Sequence, residues 1–139
     1  MTHPIYQNFL GTWVLDSATC EYEQGDPPWA DRHRIEEDNG ELVIAMDWTD
    51  ADGETHHASF RAPPTGQEIA FNGGPLADKL CLTVPSPSEL NLSASRDGLE
   101  LMTATRELDA DGTTLQLVQT VHLPDFTAPT NRGTYYKAD

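Results

Sequence analysis

The sequence predicts an all-β protein, a single up-and-down antiparallel β-barrel of about ten strands occupying residues 1–139 as one domain. Tight-turn signals point there first. Asp38-Asn39-Gly40, Asp50-Ala51-Asp52-Gly53, Arg96-Asp97-Gly98 and Asp109-Ala110-Asp111-Gly112 each separate two runs of strand-forming residues. Hairpin turns need positive φ, which glycine adopts freely and Asn or Asp tolerate. Between the turns, apolar and polar residues alternate with period two, the pattern of half-buried strands. Finally, no helical run long enough for a crossover lies between any two strands, and parallel neighbours need a connection of about a dozen residues or more. An open meander would leave two edges unpaired, and closure into a barrel removes them.

Taken in order, residues 4–9 read as a short helical turn that caps one end, and residues 10–16 as the first strand. A loop is expected over 17–30, where Asp26-Pro27-Pro28-Trp29 favours an extended course and opposes helix. Further strands are expected over 32–37, 41–48, 54–61, 67–71, 79–84, 89–95, 99–108, 113–123 and 132–137. The junctions without Asp-Gly carry other breakers: Pro63-Pro64-Thr65-Gly66, Asn72-Gly73-Gly74-Pro75, Pro85-Ser86-Pro87 and a segment from Pro124 to Pro129.

The inside shows most clearly in the strand over 41–48, where Leu42, Ile44, Met46 and Trp48 share one face opposite Glu41, Val43, Ala45 and Asp47. Leu80, Leu82 and Val84 form another inner row, as do Ile69 with Phe71, and Leu115, Leu117 and Val121 with Gln119 interrupting them. His56, Ala58 and Phe60 place a polar group beside an aromatic. A mixed interior suits a cavity, and equally suits polar groups that touch water at a barrel mouth.

The formal charge of −15, from 23 acidic and 8 basic residues, argues against nucleic acid and anionic membranes as partners. It fits solubility in a salty cytoplasm, where counterions screen the repulsion, or docking to a basic partner. Residues 1–10 have neither a basic start nor a signal-like apolar run, and no later stretch could span a bilayer, so the expected location is the cytoplasm. Cys20 and Cys81 fit neither a zinc pattern nor a redox pair and are expected as reduced thiols.

No nucleophile elbow, phosphate-binding glycine loop, His-Glu-x-x-His or Cys-x-x-Cys is present, so no catalytic residue and no cofactor is assigned. The two Asp-Ala-Asp-Gly turns fail as calcium loops. Aligned on the glycine, the first ligand position holds Trp48 or Glu107 and the twelfth Ser59 or Val118, where glutamate is needed. Among His3, His33, His56, His57 and His122, the adjacent pair His56 and His57 points to opposite faces of a strand and cannot clasp one metal. No metal site is expected.

Gly11-Thr12-Trp13, at the start of the first strand, resembles the Gly-x-Trp signature of the lipocalin and fatty-acid-binding-protein superfamily, the calycins. Asp50-Ala51-Asp52-Gly53-Glu54, the run over 105–115 and the last strand follow in an order similar to that of small bacterial lipocalin-like proteins of uncharacterised function. The likeness extends over essentially the whole chain. It implies a barrel closed at one end by Gly11 and Trp13, with a basic residue of a late strand over the indole. Arg106 and Arg132 are the candidates, and such a cation–π contact contributes about 0.5–2 kcal/mol.

The last strand departs from the Arg-x-Tyr pair that holds a carboxylate in fatty-acid-binding proteins. In Arg132-Gly133-Thr134-Tyr135-Tyr136 the first tyrosine falls on the face opposite the arginine and the second on the same face. The loop over 17–30 is also too short for that family's helix-turn-helix lid. Fatty-acid binding is therefore not transferred.

The expected function is non-covalent binding of a small apolar or amphipathic molecule inside the barrel. Met46, Trp48, Phe60, Phe71, Met102 and Leu117 would form the wall, and His56, Arg106 and Gln119 the orienting polar groups. Two alternatives use other chemistry. One is a haem-binding protein, like the nitrobindin branch of the calycins, or an acid–base enzyme, using His56 or His122. The other is a non-catalytic interaction module that uses the acidic exterior or a sheet edge, a homodimer being one form of it.

Overall fold

The computed structural model describes residues 4–71 and 77–138, so the expected Asn72-Gly73-Gly74-Pro75 turn lies outside the described residues. A 3₁₀ turn, Gln7–Phe9, precedes ten strands: β1 Gly11–Tyr22, β2 Ala30–Asp38, β3 Glu41–Thr49, β4 Thr55–Ala62, β5 Ile69–Ala70, β6 Lys79–Ser86, β7 Glu89–Arg96, β8 Leu99–Leu108, β9 Thr114–Val121 and β10 Thr130–Lys137. All belong to one antiparallel sheet in the order β4-β3-β2-β1-β10-β9-β8-β7-β6-β5. Chain neighbours are sheet neighbours except β4 and β5, and the remaining contact joins the first strand to the last.

This order leaves β4 and β5 at the two edges, and the barrel nearly closes across that seam. Thr65, just past β4, bridges to Thr83 of β6, and the Gly66 amide donates to the Leu82 carbonyl at 2.9 Å. The hairpins follow the turn chemistry. Asn39 and Gly40 have φ of 52° and 83°, and Asp97 and Gly98 have 52° and 80°, the paired positive values that match a turn to the twist of its strands.

Two expectations about extent are corrected. β1 runs to Tyr22, so the expected loop over 17–30 shrinks to residues 23–29. The strand continues through an irregularity between Asp16 and Glu21, where its register with β10 shifts. There the Thr19 hydroxyl donates to the Asp16 carbonyl at 2.6 Å and accepts the Thr134 amide at 2.9 Å, replacing ladder bonds with side-chain bonds. A bulge of this kind breaks the alternation by which a strand is recognised. β5, expected over 67–71, is only Ile69–Ala70.

The interior is divided along its length. Toward the end that carries the β2–β3, β6–β7 and β8–β9 turns, Phe9, Trp13, Ile35, Leu42, Ile44, Leu82, Leu90 and Leu115 are fully buried and fill the barrel. The Trp13 indole N–H donates to the Phe9 carbonyl at 2.9 Å, which fastens the 3₁₀ turn across this closed end. The cation over Trp13 is Lys137, 5.6 Å from the ring centroid, and neither Arg106 nor Arg132 takes that place. Lys137 is the register partner of Trp13 on β10, Arg132 is exposed, and Arg106 is committed elsewhere in the interior. Toward the other end, Met46, Trp48, Phe60, Met102 and Leu117 on the same inward faces are only partly buried. No helix among the described residues is long and apolar enough to cross a membrane.

Candidate ligand cavity

The unfilled half of the barrel holds a cavity of about 340 Å³. Its wall is apolar: Met46 and Trp48 from β3, Phe60 from β4, Met102 from β8 and Leu117 from β9. Its floor is polar, built by Asp31 and His33 of β2, Arg106 of β8 and Tyr135 of β10, with Gln119 and Tyr22 beside them. Asp26, Pro28 and Asp50 stand at the mouth, on the β1–β2 and β3–β4 connections.

Strand alternation places the floor. On β2, Asp31, His33 and Ile35 share the inward face, opposite the exposed Arg32, Arg34 and Glu36, and the fully buried Ile35 fixes that parity. On β8, Ala104 and Arg106 share a face, and on β10 Gly133 and Tyr135 do.

These side chains form one network. His33 Nε2 lies 3.0 Å from Asp31 Oδ2, and the same oxygen accepts the Tyr135 hydroxyl at 2.5 Å. Arg106 Nη2 lies 3.3 Å from His33 Nδ1. A guanidinium can only donate, so Nδ1 must carry the lone pair and Nε2 the proton, which it gives to Asp31. His33 is thus a neutral imidazole with a fixed tautomer. Burial is the main cause of a pKa below the ordinary histidine value, the Asp31 hydrogen bond opposes it, and the Arg106 charge adds to it. Burial raises the Tyr135 phenol, helped by Asp31, and pushes Tyr22 up to about 12, so both keep their protons at neutral pH.

Arg106 is 2% exposed. Burial lowers its pKa, while Tyr135 and Asp31 oppose the shift. A guanidinium nevertheless remains charged at neutral pH. Its Nε and Nη1 have no hydrogen-bond partner, and neither has Asp31 Oδ1. All three of these atoms are buried within the floor.

Of the residues expected at a binding site, Met46, Trp48, Phe60, Met102, Arg106, Leu117 and Gln119 line this cavity. Phe71 does not; it packs against the buried core. His56 does not line it either. Its Nε2 is 2.7 Å from Asp50 Oδ2, and its ring stacks on Trp48 with centroids 5.3 Å apart, so it braces the indole from the paired position on β4. His122 faces Glu100 at 3.5 Å and His57 pairs with Asp47. Among the described residues the buried imidazole is His33, and both its nitrogens are engaged, whereas the haem and acid–base alternative named His56 and His122.

Asp50, Glu54 and His56 have ligand atoms within 4.8 Å of one another, a grouping whose composition could hold a metal ion. Asp50 Oδ1 already accepts the Asp52 and Glu54 amides at 2.9 Å each, and Oδ2 meets His56, so the carboxylate is occupied in shaping its turn.

Asp31, His33, Tyr22 and Tyr135 were not among the expected site residues. For His33 and Asp31 the signal was present in the parity of Ile35 against Arg32 and Arg34. For Tyr135 it lay in the opposed faces of Arg132 and Tyr135.

No protein-family model and no curated protein matches the chain. Solved structures do match. Apo lipid binding protein 8 of Caenorhabditis elegans aligns with a TM-score of 0.63 at 11% identity, over 95% of this chain and 96% of that one. The zebrafish ileal bile acid-binding protein, complexed with cholic acid, aligns at 0.55 and 12% identity, over 94% and 99%. A Nostoc punctiforme protein of unknown function from the DUF3598 family aligns at 0.62 and 12% identity, over 95% of this chain and 48% of that one. The chain has the fold of the lipocalin and fatty-acid-binding-protein-like calycins, and at these identities the likeness concerns the fold alone.

Proposed function

We propose that this calycin barrel binds a small amphipathic molecule non-covalently, its apolar tail against Met46, Trp48, Phe60, Met102 and Leu117 and an acidic head group at Arg106. One observation carries the reading: a buried guanidinium with two unpartnered nitrogens on the polar side of a cavity whose wall is apolar. An unpaired buried charge is costly, and an anion that accepts from it offsets that cost. Neighbours in the fold named for lipids and bile acids support an amphipathic ligand by analogy.

Size narrows the class. At the roughly 30 Å³ that a water-sized group occupies in a liquid, a cavity of about 340 Å³ admits about eleven heavy atoms, a medium-chain acid. Each buried methylene contributes about 0.8 kcal/mol and the charge-assisted head-group bonds about 1.5–3 kcal/mol. The tail dominates affinity and the head sets orientation. Trp29, Leu99 and Phe126 stand exposed at the open end, so an arriving tail meets apolar surface there first.

Calorimetric titration with decanoate and 1-decanol tests this. The protein is expected to bind decanoate more tightly, and Arg106→Gln to weaken decanoate about tenfold or more with little change for decanol. Failure to bind decanoate, or equal weakening of both ligands, would reject the reading.

A further inference from the structure

We propose that the β3–β4 hairpin holds a divalent transition-metal ion of the zinc class, with His56 Nε2, an Asp50 oxygen and a Glu54 oxygen as its ligands. The site is separate from ligand binding at Arg106 and does not depend on it.

The register of the hairpin brings the three side chains together. Trp48 pairs with His56 and Thr49 with Thr55, so Asp50 and Glu54 meet next, at the turn. The Asp50 amide donates to the Glu54 carbonyl at 2.8 Å, and the Gly53 amide to the Asp50 carbonyl at 3.0 Å. One ligand atom each from Asp50, Glu54 and His56 lies within 4.8 Å of the other two. The His56 and Asp50 side chains are 40% and 32% exposed and Glu54 is exposed, so an ion reaches all three from solvent.

Two of the ligands are oriented before an ion arrives. Asp50 Oδ1 accepts the Asp52 and Glu54 amides at 2.9 Å each, which fixes the carboxylate and leaves Oδ2 with His56 alone, at 2.7 Å. The imidazole is steadied by Trp48, its plane 25° from that of the indole. Outer contacts of this kind set the direction of metal ligands. Ligands 2.0–2.2 Å from a tetrahedral ion stand about 3.3–3.6 Å apart, so the His56–Asp50 contact opens by about 0.7 Å while the exposed Glu54 swings inward. Nε2 then offers its lone pair, and the neutral ring keeps its proton on Nδ1.

The donor set selects the ion. An imidazole suits zinc-class ions, and two carboxylates balance a divalent charge. Calcium takes six to eight oxygens and in a calcium loop needs the glutamate that Ser59 replaces here. Three protein ligands leave a fourth position for water, as in open zinc sites. Asp50 also lines the cavity mouth, so the ion stands at the entrance. Among the described residues no other three such side chains come this close.

Calorimetric titration of the whole chain, without an affinity tag, tests the site with zinc chloride in about 0.1 M sodium chloride, which screens diffuse attraction to the charge of −15. One zinc ion per chain is expected to bind, with calcium chloride giving no comparable binding. His56→Gln and Glu54→Gln are each expected to weaken zinc about tenfold or more. His57→Gln, on the opposite face of the same strand, is expected to leave the affinity unchanged. Should His56→Gln fail to fold, Glu54→Gln at its exposed position still decides. No zinc binding, calcium binding as tight as zinc, or equal weakening by His57→Gln would overturn the proposal. An unchanged affinity in Glu54→Gln alone would overturn the part given to Glu54.

Discussion

His33 shows what a single buried residue contributes to this protein. It accepts from Arg106 on one nitrogen and donates to Asp31 from the other, so the neutral ring is the form that the fold requires. Because its pKa lies below the ordinary 6.5 in the folded state, the unfolded chain takes up a proton first as pH falls. The unfolded state then binds more protons, and stability drops below about pH 6.5 until the folded state protonates too. Denaturant midpoints at pH 7.5 and pH 5 are expected to show this drop in the wild type and a smaller one in His33→Gln. The glutamine keeps an acceptor and a donor, so its loss at pH 7.5 should be about 1 kcal/mol. An equal drop in both proteins would place the pH sensitivity elsewhere.

At the scale of the element, β10 does two jobs through its alternation. Its outward face carries Arg132 and Tyr136, and its inward face brings Gly133 against β1 and Tyr135 to the cavity floor. A Cβ at Gly133 would stand 3.0 Å from Leu15 Cδ1, which must then shift slightly, and at an ordinary contact distance of 3.6 Å from Cys20 Sγ, so the further methyls of a valine have little room. Gly133→Val is expected to destabilise the protein by about 1–3 kcal/mol in urea unfolding, and an unchanged midpoint would show that Leu15 yields freely. Which faces these strands turn inward was legible in the sequence wherever an aliphatic row fixed the parity, as Leu42 and Ile44 do on β3. It was less legible on β2 and β10. There the inward positions hold Asp31, His33, Gly133 and Tyr135, residues that read as polar surface or turn until a buried neighbour is known.

The whole molecule concentrates 23 acidic residues on a chain with 8 basic ones. Surface ion pairs such as Arg61 with Asp38 and Glu41, or Lys79 with Glu68, relieve little of a net charge of −15. The compact state brings these charges together and the unfolded chain separates them, so screening should favour folding. Raising sodium chloride shortens the Debye length from about 30 Å at 0.01 M to about 10 Å at 0.1 M. The thermal midpoint at neutral pH is expected to rise by several degrees over that range, as differential scanning calorimetry would record. A flat response would mean that the acidic surface is spaced widely enough to be neutral toward folding. The single-bridge seam at Thr65 and Thr83 is the part of the barrel with least hydrogen bonding to oppose such repulsion.

The fold was written in local chemistry: Asn-Gly and Asp-Gly turns, period-two rows and short connections determine an antiparallel meander, which the structure shows curled into a nearly closed barrel. The apolar wall of the cavity followed from the same alternation, since Met46, Trp48, Phe60, Met102 and Leu117 continue the inner rows. The cation over Trp13 did not follow, because Lys137 reaches that ring through the β1–β10 pairing of the chain's two ends. Nor did the polar floor. Asp31, His33, Arg106 and Tyr135 lie on three strands, up to 104 residues apart, and no spacing in the chain announces their meeting. Tertiary structure alone decided which half of the barrel is filled and which is hollow, because alternation states only that a side chain points inward. Whether it meets a packed neighbour or open space depends on the strands that closure brings across from it.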